Sequence, residues 1–192
     1  MGRLTIANTA TAAPMGAQVY EREVAGRART ALGPDWQVDQ YVVRSLRSAL
    51  PGNRRLPMGW LTDASARSRR ALGRMLYPRR GVVHRMGLLL PPAPGPEVIT
   101  IHDAVAWRFP DESAPVRAAA AEARRAAAVI CVSQFSAAEV SEVLGVDRPH
   151  VVYNGVDPRY GRATPLDPSR RRELGIAGPY VLHAGGASAR KN

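Results

Sequence analysis

Short apolar runs alternate with stretches of helical periodicity from one end of the chain to the other, the pattern of a parallel sheet wrapped by helices. Leu4 to Ala7 reads as a first strand. The turn Ala13-Pro14-Met15-Gly16 follows, then a helix from about Ala17 to Leu32 with Gly33 as its C-cap. Trp36 to Val43 reads as a second strand, and Val82 to Leu90, interrupted by His84 and Arg85, as a third. Glu97 to Ile101 is a clearer strand that delivers His102 and Asp103 at its carboxyl end. Open parallel sheets bind ligands beyond the carboxyl ends of their strands, so this placement singles out the pair. The expected class is α/β.

The second half continues the alternation. Val116 to Ala128 is alanine-rich and helical, and Val129 to Val132 is a strand. Ser136 followed three residues later by Glu139 predicts a capping box opening a helix that ends at Gly145. His150 to Tyr153 forms a strand leading into the turn Asn154-Gly155-Val156-Asp157-Pro158. Tyr160 to Pro168 reads as a linker, Asp167 caps a short helix with Pro168 at its first position, and Tyr180 to His183 begins a new unit. Leu61 to Leu76 can be drawn as a helix with Leu61, Ala64, Ala71, Leu72, Met75 and Leu76 on one arc and Arg67, Arg70 and Arg74 opposite.

Composition narrows the classes. A chain of 192 residues holds one ordinary domain and a short remainder. No run approaches the roughly 18 to 20 apolar residues that span a bilayer, and the N-terminus has no long apolar signal core, so a cytoplasmic location is expected. Cys131, the single cysteine, sits in an apolar run as a small hydrophobe, and there is no disulfide framework. The net charge of +11 is carried almost wholly by arginine. It collects at Arg54, Arg55, Arg67, Arg69, Arg70, Arg74, Arg79, Arg80 and Arg85, against the single acid Asp63. Such a region suits a phosphate-rich partner or an anionic lipid surface, on which the helix of Leu61 to Leu76 could lie. With two phenylalanines and no stacking motif, a sequence-specific nucleic-acid partner is not expected.

Three places could carry chemistry. The turn at Gly16 lets backbone approach an anion at a helix N-terminus, although an ordinary strand-to-helix turn also accounts for it. His102 can hydrogen-bond a sugar hydroxyl or a phosphate, or it and Asp103 simply cap the strand end. Gly185 and Gly186 with Arg190 and Lys191 follow a strand as a phosphate cradle would, or form a solvated terminus. No His or Cys lies at metal-ligand spacing, so no metal is expected. Neither a Walker sequence nor a nucleophile elbow is present.

In their order and spacing, PMGAQVY, TIHDAVAWRFP, AVICVSQFSAAEV, HVVYNGVDP and YVLHAGGASARKN resemble segments of the retaining glycosyltransferases of family 4, which have the GT-B architecture. The resemblance implies a Rossmann-like parallel sheet with helices on both faces, the N-terminal half of a GT-B fold. Residues 1–163 would be the acceptor-side domain, and 164–192 the linker and start of a truncated donor-binding domain. It further implies His102 as the catalytic residue that contacts and orients the transferred sugar, with Gly16, Asp103 and Asn154 in loops at the acceptor or donor phosphates. Gly185, Arg190 and Lys191 would bind the donor and neutralise its departing diphosphate without a metal or other cofactor. The implied partners are a nucleotide sugar, with mannose the candidate hexose, and a glycan or lipid-linked acceptor of the cell envelope. The family's paired-glutamate motif is not among these residues, and Gly186 stands where members often carry arginine. The chain alone is therefore expected to be inactive, and a non-catalytic glycan-binding or decayed module is the alternative.

Overall fold

The computed structural model describes residues 1–162 and 164–181. The chain divides into two compact units, Met1–Asn154 and Gly155–Asn192. In the first, β1 (Gly2–Thr9) leads into α1 (Gly16–Leu32), β2 (Trp36–Ser45) and β3 (Arg54–Leu56). The short α2 (Met58–Leu61) and α3 (Ala66–Leu76) precede β4 (Val82–Arg85) and β5 (Glu97–Ile101). Then come α4 (Val105–Arg108), α5 (Ala119–Arg125), β6 (Ala128–Cys131), α6 (Gln134–Leu144) and β7 (His150–Val151). All seven strands are parallel, in the order β3-β2-β1-β4-β5-β6-β7. This is the expected Rossmann-like α/β sheet, with its order reversing between β1 and β4.

Strand alternation assigns the two faces. Ile6 of β1 and Val38 of β2 meet α1 through Tyr20, Val24, Ala25 and Ala28. Ala7, Val43 and Val83 point the other way, into a cluster with Leu61, Leu76 and Tyr77. In the pairing register Ala7 aligns with Arg85, and Arg85 with Ile99. Ile99 and Ile101 pack with Val129, Cys131, Ala123, Val140 and Leu144. Helices α3, α5 and α6 therefore share one face, and α1 lies on the other.

Several local expectations change. The extended run after His84 and Arg85 stops at Arg85, because Gly87 takes φ 139° and Leu88 to Pro92 cross back to β5 without pairing in the sheet. Ser133, not Ser136, caps α6 by accepting from the Ser136 amide at 3.0 Å, and Glu139 binds Arg108 instead of closing a capping box. The helix drawn over Leu61 to Leu76 is two helices, and of its apolar arc Ala71 and Met75 are exposed. α5 starts at Ala119, not Val116, and β7 ends at Val151. The end of α1 is as read: Gly33 closes it at φ 79° and donates to the Arg29 carbonyl.

The basic region also splits. Arg69 and Arg85 are fully buried and belong to a network with Glu97 and Glu122, two charges of each sign. Arg69 Nε donates to Glu122 Oε1 at 2.6 Å, and Arg85 Nη1 to Glu122 Oε2 at 2.8 Å. Arg85 Nη2 donates to Glu97 Oε1 at 2.7 Å. The remaining guanidinium hydrogens serve the carbonyls of the crossover. Arg69 reaches Leu61, Leu88, Leu89 and Leu90, Arg85 also reaches Leu90, and Glu97 Oε2 accepts from the Ala93 amide.

In the second unit a 3-10 helix (Pro158–Arg162) precedes α7 (Pro168–Glu173). Asp167 caps α7 as read, accepting from the Ser169 and Arg170 amides at 2.9 and 3.0 Å.

Removing one partner of a buried charge pair strands the others, which costs about 3–5 kcal/mol. Glu122→Ala should therefore lose about that much stability in urea denaturation, whereas Glu23→Ala, which breaks an exposed pair with Arg27, should lose under about 0.5 kcal/mol. Similar losses for the two would contradict the network's role.

Candidate active site

The carboxyl edge of the sheet at the strand-order reversal is where β1 ends at Asn8 and Thr9, where α1 begins, and beyond which β5 delivers His102. Strand parity puts Asn8 and His102 on the face covered by α1. The His102 ring meets Tyr20 of α1 edge-on, with centroids 4.8 Å apart. Its carbonyl accepts from Ser136 Oγ at 2.7 Å, so the cap of α6 and the strand end are tied together. Asp103 is exposed and turns the chain by accepting from the Val105 amide at 3.1 Å. Arg108, at the end of α4, then holds this loop to α6 through Glu139 at 3.0 Å and Glu142 at 2.7 Å.

Three separate anchors thus fix the backbone around His102. Its Nε2 is buried with no hydrogen-bond partner among the described residues. Burial lowers the imidazole pKa, against a smaller opposing effect of the Asp103 carboxylate, so the neutral form prevails at neutral pH. His84 on β4 is lowered further, to about 4, by burial. Its Nε2 lies 2.8 Å from Thr100 Oγ1.

Of the residues singled out from the sequence, Gly16 opens α1, the helix whose Tyr20 meets His102. Gly16 stands in open space, where an added Cβ would meet no atom within 4 Å. No acid lies in this first turn, and no side chain among the described residues caps it, although Gln18 Oε1 accepts from the Met15 amide at 2.9 Å. Asn154 is exposed beyond β7, on the other side of β6 from His102. Gly185, Arg190 and Lys191 lie outside the described residues.

The sequence reading passed over Glu21 and Asn8. Glu21 is 5% exposed beneath α1, and one of its carboxyl oxygens has no partner among the described residues. Burial raises its pKa to about 7, partly opposed by a hydrogen bond from the Asn8 side chain. The signal was available: Glu21 falls on the apolar stripe of Ala17, Tyr20, Val24, Ala25 and Ala28. A carboxyl there belongs to the interior.

The Glycosyltransferase Family 4 model matches residues 17–160, three quarters of the chain and six of the sheet's seven strands. The chain belongs to glycosyltransferase family 4. Asn154, Asp103, His102 and Glu21 lie inside the matched region, and Gly16 stands one residue before it. Membership makes the chain's partners a sugar donor and an acceptor. No curated protein matches the chain. Among the described residues of this glycosyltransferase domain, no helix is long and apolar enough to cross a membrane.

The Glu21 shift fixes the sign of a pH effect. A carboxyl whose folded pKa is raised binds its proton more tightly in the folded state. Its stabilisation is full below about 4.5 and is lost as pH rises through about 7. Glu21→Gln should remove that loss and raise the unfolding free energy at pH 8 by up to about 3 kcal/mol relative to wild type. The lowered pKa of His84 works in the opposite sense, stabilising above about 6.5 and failing as pH falls through about 4. The difference between Glu21→Gln and wild type therefore isolates Glu21. Parallel stability curves for the two proteins from pH 4.5 to 8 would contradict the assignment.

Proposed function

We propose that the protein transfers a hexose, with mannose the candidate, from a nucleotide sugar to a glycan or lipid-linked acceptor, with retention of configuration. The observation that carries this reading is His102. It is a neutral imidazole with a buried, unpartnered Nε2 at the carboxyl end of a central strand, held by Tyr20 and Ser136. Such a group contacts a sugar hydroxyl without adding charge and orients the reacting carbon, so that little reorganisation is left for the transition state. Gly16 suits a neighbouring phosphate, because the amides at the start of α1 point out of a helix whose dipole favours an anion. The chain neither crowds a Cβ at Gly16 nor gives it a positive φ, so the space in front of the helix start is open to a ligand. Asp103 and Asn154 border the same cleft in this reading.

Residues 1–163 would form the acceptor side, and 164–192 would open the donor side. Gly185, Arg190 and Lys191 there would neutralise the departing diphosphate by charge alone, with no metal or other cofactor. In the alternative reading the chain is a glycan-binding or decayed module that takes an acceptor and no nucleotide sugar. With the chain joined to a complete donor-binding domain, His102→Ala should lower kcat/KM for transfer on the order of 100-fold, about 2.7 kcal/mol, with the thermal midpoint little changed. Wild-type kinetics in that variant would remove His102 from the site, and absence of nucleotide-sugar binding by calorimetry would favour the alternative.

Exposed side chains support a peripheral contact with anionic lipid at the cytoplasmic face of the cell envelope. Arg67, Arg70 and Arg74 remain on the surface of α3, with Arg79 and Arg80 just beyond, and Met75 beside them is 83% exposed. Cations around a projecting apolar side chain suit a headgroup layer. In flotation assays the protein should enrich on anionic over neutral vesicles, and Arg70→Glu with Arg74→Glu should abolish the enrichment. Equal partition between the two lipids would remove this contact.

A further inference from the structure

On the α1 side of the sheet's carboxyl edge, Glu21 Oε2 and His102 Nε2 are buried without a hydrogen-bond partner among the described residues, as is Arg44 Nε at the end of β2. The two elements that carry Glu21 and His102 touch one residue away from Glu21, where Tyr20 meets the His102 ring edge-on. Asn8 adds a further polar group. Its side-chain oxygen accepts from Gln40 Nε2 at 3.3 Å, and its amide nitrogen, which donates to the Thr9 carbonyl at 3.4 Å, also serves the Glu21 carboxyl.

A carboxyl placed there by packing alone makes little physical sense. Burying it with one neutral donor carries a desolvation cost that an apolar side chain on the same stripe would avoid. The other titratable groups on this face do not offset that cost. His84 on β4 is bonded to Thr100, and His102 after β5 is lowered by burial. Asp103 beyond it carries the same sign as an ionised Glu21, and Tyr20 supplies ring surface. From β1 the neutral Asn8 meets Glu21, and strand parity puts Gln40 and the Arg44 guanidinium of β2 on the same face, with Arg44 Nη1 donating to the Ser48 carbonyl at 2.7 Å.

We infer that Glu21, Asn8 and His102 form a hydroxyl-binding subsite, in which the Glu21 carboxylate accepts a hydrogen bond from one sugar hydroxyl and His102 Nε2 binds another. This rests on the glycosyl-transfer reading and adds a carboxylate to its binding residues. The chemistry is that of a polyol, and either the donor's hexose or the acceptor's sugar could supply it. A hydroxyl donated to Glu21 stabilises the ionised form, so binding lowers the pKa of this group. By linkage, the sugar must then bind more tightly as pH rises through about 7. A shift of about one unit corresponds to a tenfold gain in affinity.

The test is carbon-13 NMR of glutamate-carboxyl-labelled full chain, with Glu21→Gln assigning the resonance. Titrations are run free and with saturating UDP-glucose or GDP-mannose as donor probes, and methyl α-glucoside or methyl α-mannoside as acceptor probes. For the arm that occupies the subsite, the Glu21 resonance should titrate about one unit lower than in the free chain. Affinity should rise about tenfold from pH 5.5 to 8.5, and this dependence should vanish in Glu21→Gln. Glu21→Met should weaken that arm alone about tenfold at pH 8. If a probe binds and loses affinity in His102→Ala, but the Glu21 resonance titrates as in the free chain, the inference is overturned while the transfer reading stands. If none of the four probes binds wild type, both are overturned.

Discussion

A backbone that crosses from one parallel strand to the next without a helix leaves its carbonyls unserved, and in this protein the buried arginines Arg69 and Arg85 serve them. The crossover from β4 to β5 runs through Leu88, Leu89 and Leu90, whose carbonyl oxygens accept from guanidinium hydrogens. Two guanidinium ions in the interior require two carboxylates, and Glu97 and Glu122 supply them. The four charges come from α3, β4, β5 and α5, so one network joins the cluster around Leu61 to the cluster around Ile99. β5 is thereby fixed at its amino end by Glu97. At its carboxyl end it is fixed by Ser136 and by the pairing of Arg108 with Glu139 and Glu142. A rigid strand held at both ends is what an oriented His102 requires.

Local signals made much of this legible. The strand Glu97–Ile101, the end of α1 at Gly33 and the Asp167 cap of α7 each rest on residues within a few positions of one another, and all are as read. Long-range pairing was not legible. Arg69 stands in a run of arginines, and nothing near it announces a carboxylate 53 residues away. For the same reason a basic region counted from the sequence included two arginines that belong to the core. The α6 cap failed on a competition between two serines three residues apart, because the Ser136 hydroxyl is taken by the His102 carbonyl. β3, three residues long, is too short to show an alternation.

The site divides in the same way. His102 could be read because its strand is so clear and its position at the carboxyl edge so exposed to argument. Glu21 was passed over, because a glutamate in a helix reads as a solvent-facing residue until the apolar stripe around it is counted. Asn8 ends a strand without any motif, and only the fold brings it beneath α1. The parity of the strands then gives the two faces different work. The α3 face holds the ion network and most of the core, while the α1 face holds, besides Arg44 at the end of β2, uncharged or proton-shifted polar groups such as His84, Thr100, Asn8 and Glu21. Polar groups without charge partners suit a face that meets an uncharged, hydroxyl-rich ligand.

The account places sugar recognition at the carboxyl edge. Yet two open depressions among the described residues lie at the amino edge, about 460 Å³ beside Gly33 and Trp36 and about 370 Å³ beside Gly145 and His150. Concavity alone would point to those, whereas the orphaned polar atoms and the start of α1 point to the opposite edge. Amide NMR shift mapping of the full chain with a nucleotide sugar decides between them. The account predicts perturbations concentrated at Asn8, Gly16 to Glu21 and His102 to Val105. Perturbations confined to Arg29–Gln37 or to Gly145–His150 would contradict it.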